Sequence, residues 1–308
     1  MDTSSNISPN TLSDAKNPPL SPSASDLGVK SWLIPLVVLA LVQFGAPFVP
    51  IFNREAALLG AIVVTLAYVG GVVAFSLAVA RKQLSIRNLL IGFVLSALAY
   101  GVLQLALRSP DVARFQFAYV LQSFALLVLG TFFGLVVSRM IKHANMLGPI
   151  GVLVALIDIW GVLFGGIVSQ LLTNKATKHI AEAGMGGGPR LGAPTSQFHL
   201  FLPDIGIGDF LFLAFFLGVI VQFGMNWRTS ALLMWGLISF ALLLIVLPIN
   251  VPALPGLLFI GAGAVLPNLK YFQFTREERF ALLYAGIFVV ILTVLLYLGL
   301  TSMLPKHP

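Results

Sequence analysis

The feature that most constrains this chain is the length of its apolar runs. Several continue for roughly 18 residues or more without a charge, about what a helix needs to cross the hydrocarbon core of a bilayer. Composition agrees: 58% of the 308 residues are hydrophobic and 9% are charged, outside the range of soluble globular proteins. Soluble enzyme folds and secreted disulfide scaffolds are thereby excluded. The absence of cysteine further excludes disulfides, thiol nucleophiles and cysteine-bound metal or iron–sulfur sites. A net charge of +7 would suggest nucleic acid in a soluble chain, but here the basic residues lie mostly between apolar runs, so they read as anchors at anionic headgroups.

Cutting the sequence at polar and charged clusters predicts membrane spans at about 31–52, 56–80, 89–107, 115–138, 146–172, 205–225, 229–249, 252–267 and 280–304. Each is expected to be a helix, because in hydrocarbon every backbone polar group needs a partner within its own segment. The expected fold class is therefore all-α, a polytopic membrane helix bundle of about nine transmembrane helices. Residues 1–30, rich in Ser, Pro, Asn and Asp, predict a disordered tail. Residues 31–145 form N-terminal helices, 146–267 a core with a mobile connection at 173–204, and 268–308 a C-terminal helix and tail. Pro35, Pro47 and Pro50 predict a kinked first span. The eighth span is too short to cross as a helix and is bounded by prolines at 252, 255 and 267, which predicts non-helical backbone within the membrane. With the tail inside, eleven Lys and Arg fall on the inner side and seven outside.

Three acids stand out from the eleven in the chain. Asp158 lies mid-span in the fifth segment, and Asp204 and Asp209 lie at and inside the start of the sixth. An aspartate at the centre of a membrane helix costs about 3 kcal/mol on insertion scales, so it marks a functional site by default. Neither span contains Lys, Arg or His, so a salt bridge does not account for Asp158 and Asp209. Gly161, Gly165 and Ser169 form a small-residue stripe on the face of Asp158, and Gly206 and Gly208 clear space before Asp209. Two carboxylates meeting in a low-dielectric site share a proton, so that one can take a proton from water while the other donates to a peptide carbonyl oxygen. The bland alternative is a pair of protonated acids bonded across helices.

Asp158, the Gly206-Ile207-Gly208-Asp209 run and Pro252-Ala253-Leu254 fall on separate spans, in an order that resembles the presenilin and signal peptide peptidase family of intramembrane aspartyl proteases. The resemblance covers roughly residues 146–267. It implies a presenilin-like bundle, catalysis by Asp158 and Asp209, and substrate engagement by Gly206, Gly208, Pro252, Ala253 and Leu254. It also implies transmembrane proteins or signal peptides as substrates, with no cofactor or metal. The chain departs from the family at Ile157, where a tyrosine is usual, and in counting five spans up to Asp158 rather than six. Prepilin peptidase also carries a Gly-x-Gly-Asp, but its lysine soon after the aspartate is replaced here by Phe210-Leu211-Phe212.

From another class, a proton- or cation-coupled transporter could use the same two acids beside broken helices. A non-catalytic scaffold is a third reading. His143, His179, His199 and His307 lack ligand spacing, so no metal is expected. The glycine-rich stretch at 184–192 lacks the Gly-Lys-Ser/Thr ending of a phosphate loop. The expected partners are membrane-inserted polypeptides and the lipid bilayer, with no nucleic acid and an oligomeric state the sequence leaves open. The small size and the lack of an organellar address suggest a multi-pass protein of a prokaryotic plasma membrane.

Overall fold

Helices carry nearly all the regular structure of the computed structural model, which describes residues 30–49, 51, 53–109, 116–163, 185–186, 188–191, 200–201, 205–246 and 254–274, with scattered helical positions between 276 and 291. In order they are α1 (Lys30–Gly45), α2 (Arg54–Arg81), α3 (Ile86–Ala106), α4 (Gln116–Ser138), α5 (Leu147–Leu163), α6 (Ile207–Gln222), α7 (Trp227–Val246) and α8 (Gly256–Val265). Side-chain caps mark two of the starts. Asn53 accepts the Ala56 amide at 2.7 Å, and Ser85 accepts the Asn88 amide at 3.4 Å. Among the described residues four helices are long and apolar enough to cross a membrane: Arg54–Arg81, Ile86–Ala106, Phe117–Ser138 and Trp227–Val246. Shorter apolar helices occupy Trp32–Phe48, Ala144–Ile159 and Ile207–Gln222.

Two expectations shift in detail. The first span is one continuous helix through Pro35, and the break falls instead at Pro47, in a 3-10 turn at Ala46–Phe48. Strictly helical structure also gives way to four two-residue strands, β1 (Met185–Gly186), β2 (Arg190–Leu191), β3 (Leu200–Phe201) and β4 (Ile205–Gly206). β1 pairs antiparallel with β4 and β2 with β3, which gives the backbone hydrogen-bond partners just before α6 begins. The eighth span does contain the expected non-helical backbone. Leu254 and Pro255 have no regular structure, α8 spans ten residues, and a 3-10 segment follows at Leu266–Tyr271. Ten residues rise only about 15 Å, half a hydrocarbon core. The tail before Lys30 and most of the 173–204 connection lie outside the described residues.

Helix α6 is the hub, with Phe210 and every residue from Leu213 to Ile220 buried. Its closest neighbour is α4, which meets it through small residues one turn apart: Gly130, Gly134 and Ser138. A Cβ at Gly130 would stand 2.8 Å from the Phe210 Cβ, one at Gly134 2.8 Å from the Phe215 nitrogen, and one at Gly218 2.5 Å from the Ser138 Oγ. Apolar side chains gain little from meeting each other in lipid, so packing of this kind depends on how near two backbones can come. Helix α8 is held the same way. A Cβ at Gly261 would sit 3.1 Å from the Gly151 carbonyl oxygen of α5, and one at Gly263 would sit 2.9 Å from the Met234 nitrogen of α7.

Asn268, fully buried just beyond α8, ties that end down. Its amide nitrogen donates to Ser230 Oγ at 2.8 Å and to the Ala264 carbonyl at 2.7 Å, while its Oδ1 accepts the Asn226 amide at 2.9 Å. Asn268→Leu orphans these groups at once and is expected to cost about 1–3 kcal/mol. Thermal unfolding of the purified protein in detergent, compared with the wild type, reads that loss directly.

The basic helix ends gather at one end of the bundle. The Arg81 guanidinium lies 4.3 Å from the Trp227 ring centroid, and the Lys82 ammonium lies 5.4 Å from that of Trp32. Arg139 donates to the Leu84 carbonyl there.

Candidate functional site

Helix α8 begins in apolar surroundings with Pro255 at its N-cap, a residue with no side-chain acceptor. The first amides of any helix lack partners within it, and in a membrane an orphaned amide is costly. The acceptor comes from another helix. Asp158, on α5, takes the Leu257 amide on its Oδ2 at 2.7 Å. Asp158 therefore caps α8 from across the bundle.

Asp209 has a local anchor. It stands third in α6, and its Oδ2 accepts the amide of the N-cap residue Gly206 at 3.2 Å, the backward half of a capping box. Its other oxygen faces α8: a Cβ added to Gly256 would meet Asp209 Oδ1 at 2.9 Å. The two acids thus converge on two consecutive residues, Gly256 and Leu257, and lie within Coulombic range of each other. Both are half-buried.

The close crossing of Gly151 and Gly261 explains why they meet. Leu257 is one turn before Gly261 on α8 and Asp158 is two turns after Gly151 on α5, so the helices run antiparallel and the crossing carries Asp158 to the α8 N-terminus. The end of the connection between α5 and α6 lies beside the pair, since Gly206 is opposite Met185 in the β1–β4 ladder.

Of the residues singled out in the sequence, Asp158 and Asp209 are brought together, and Gly206 supplies a hydrogen bond to one of them. Among the described residues nothing lies within 4 Å of a Cβ position at Gly208. Leu254 is half-buried at the entrance to α8. Pro252, Ala253, Asp204, Gly165 and Ser169 lie outside the described residues. Among the described residues Gly161 has nothing within 4 Å of a Cβ position, and a close approach to α8 is made at Gly151, two turns before Asp158.

Gly256 and Leu257 are the site residues that the motifs missed. A signal for them was present. Residues 253–256 offer no Ser, Thr, Asp or Asn to cap the apolar run that follows Pro255, so a buried helix start without a local acceptor needed an acid from elsewhere.

What fold and site define together is a predominantly helical chain with, among the described residues, four helices long and apolar enough to cross a membrane, consistent with an integral membrane protein, and with two acids from separate helices gathered at the start of a third. No protein-family model, curated protein or solved structure matches the chain.

Proposed function

We propose that the protein is a multi-pass intramembrane aspartyl endopeptidase, similar to presenilin and signal peptide peptidase, that hydrolyses peptide bonds of membrane-inserted helical substrates. The observation that carries this reading is the convergence of Asp158 and Asp209 on Gly256 and Leu257. In the proposed reaction one carboxylate takes a proton from water as the water oxygen bonds to the peptide carbon. The other, protonated, donates to the carbonyl oxygen. Collapse of the tetrahedral species breaks the carbon–nitrogen bond as the proton held by the first acid passes to the leaving amine and one hydroxyl of the species returns its proton to the second acid. No cofactor enters the balance.

Under the same reading the polypeptide threads the bilayer about nine times, in a prokaryotic plasma membrane, with transmembrane proteins or signal peptides as substrates. The Pro252-Ala253-Leu254 run leads into the helix that both acids touch, which supports a role in holding an unwound substrate strand. The test is reconstitution of the purified chain in liposomes with a helical transmembrane substrate, followed by mass spectrometry of the products. Discrete peptide products from the wild type, absent when both aspartates are Asn, support the reading. Proton flux dependent on the same acids, with the substrate left intact, favours the transporter.

Gly256 acts in this scheme as a positioning residue, because only a missing side chain leaves room for the Asp209 carboxyl. In Gly256→Ala the obstacle meets the end of a flexible side chain rather than backbone, so the fold survives while the carboxyl moves. A shift of this size is expected to lower kcat by about tenfold to a hundredfold with KM little changed. A fall in substrate affinity with kcat preserved would contradict that role.

A further inference from the structure

The connection between α4 and α5, residues 139–146, is tied to the ends of several other helices. Arg139 donates to the Leu84 carbonyl in the turn between α2 and α3 at 3.4 Å, and Gln222, the last residue of α6, donates to the Ile141 carbonyl at 3.1 Å. The third tie is a matched pair. Asn145 Nδ2 donates to the Gln273 carbonyl at 2.8 Å, and the Gln273 amide donates back to Asn145 Oδ1 at 3.1 Å. One side-chain amide thus holds both backbone groups of one residue, as a neighbouring strand would. Phe272 and Phe274, on either side of Gln273, lie against the start of α5: a Cβ at Gly148 would stand 3.7 Å and 3.5 Å from their rings.

Asn145 sits in a 3-10 turn, Ala144–Met146, that runs directly into α5. It precedes Gly151, where α5 crosses α8, and Asp158 follows it. At about 1.5 Å per residue each lies about 10 Å from the crossing, on opposite sides. Glycine set against glycine offers no side-chain ridge to fix a crossing angle, so the two helices pivot there unless each side is tied. Toward the acids the tie is the Asp158–Leu257 bond, and on the other side it is the Asn145–Gln273 pair. With lever arms this similar, slack at Asn145 reappears at Asp158 at nearly full size. Asp209 belongs to the same frame, because the far end of its helix is tied to the connection through Gln222. We propose that Asn145 is a positioning residue for the acid pair: its two bonds to Gln273 set the angle at which α5 crosses α8, and with it the place of Asp158 relative to Asp209. The effect on rate rests on the endopeptidase reading, whereas the effect on geometry stands apart from it.

Two measurements on the full-length protein in liposomes test the two effects separately. The first is steady-state cleavage of a helical transmembrane substrate. Asn145→Ala is expected to lower kcat about tenfold with KM within about twofold, because a displacement of about 1 Å at a reacting group costs up to about a hundredfold. Asn145→Asp has the same shape but turns a carboxylate toward the Gln273 carbonyl, and is expected to lose as much. Asn145→Gln carries the same amide on a longer arm and is expected to recover part of the loss. The second measurement is pulsed dipolar EPR between nitroxides on Ile157→Cys and Leu121→Cys, both exposed positions in a chain with no cysteine of its own. The label on α4 reports the frame of Asp209, since α4 packs backbone to backbone on α6. Asn145→Ala and Asn145→Asp are expected to shift or broaden the distance distribution, and Asn145→Gln to leave it nearer the wild type. Asn53→Ala, which removes the cap at the start of α2, is the control, expected to lower the unfolding temperature without changing kcat or the label distance. An unchanged distance distribution or an unchanged kcat in Asn145→Asp would overturn the role, and so would a raised KM with kcat preserved. A wild type that cleaves nothing sinks the endopeptidase reading alone, and the distance measurement then decides whether Asn145 sets the geometry. Should Asn145→Ala fail to fold, the Asp isostere is read in its place.

Discussion

Asp209→Asn is expected to abolish proteolysis of a membrane-inserted substrate, lowering the rate by about a thousandfold or more, while the protein keeps its fold. The amide oxygen of Asn can still accept the Gly206 N–H that Asp209 Oδ2 now holds at 3.2 Å, so the start of α6 stays capped. What is lost is a group able to gain and release a proton. Asp158→Asn is expected to behave alike, because its oxygen can still accept from the Leu257 amide.

Alanine separates the two positions. Asp158→Ala leaves the first turn of α8 without its acceptor, at a cost of about 1–3 kcal/mol, so it is expected to lose stability as well as activity. Asp209→Ala removes a bond to a residue at the helix edge, a smaller loss. Product analysis beside thermal unfolding for all four variants checks the whole pattern. Full cleavage by either Asn variant would sink the acid-pair mechanism, whereas dead but stable Asn variants would confine the defect to chemistry.

The second large effect is structural. Gly134→Ala places a methyl group against the Leu211 carbonyl and 2.8 Å from the Phe215 nitrogen, both backbone of α6. No rotamer change relieves a clash with backbone, so α4 and α6 must separate. The expected cost is about 3 kcal/mol, the upper end for overpacked cores. Because α6 carries Asp209, cleavage is expected to fall with stability. Gly236→Ala is the matched control: among the described residues nothing lies within 4 Å of its Cβ position, and alanine is the better helix former by about 0.5–1 kcal/mol. Comparing the two unfolding midpoints in one detergent checks the argument. Equal midpoints would show that the helices tolerate a wider spacing.

Much of the helical architecture was legible because hydrocarbon length and backbone hydrogen bonding leave few options. α2, α3, α4 and α7 sit where the apolar runs 56–80, 89–107, 115–138 and 229–249 placed them, with ends moved by a few residues. The shortened eighth span was equally readable from its prolines. The two-residue strands before α6 were not, since ladders that short leave no period-2 pattern. Nor was the part played by Gly151, which makes a close crossing with α8 near Asp158, since spacing along one helix says nothing of which neighbour lies opposite.

By itself the sequence determined that the chain is helical and apolar enough for a membrane, and that Asp158 and Asp209 have no basic partner within their spans. Both follow from the cost of placing polar groups in hydrocarbon, which depends on composition and order alone. Only the tertiary structure decided that the two acids converge on Gly256 and Leu257. That outcome rests on a glycine crossing between helices far apart in sequence and on the unpaired amides of a helix too short to span the membrane.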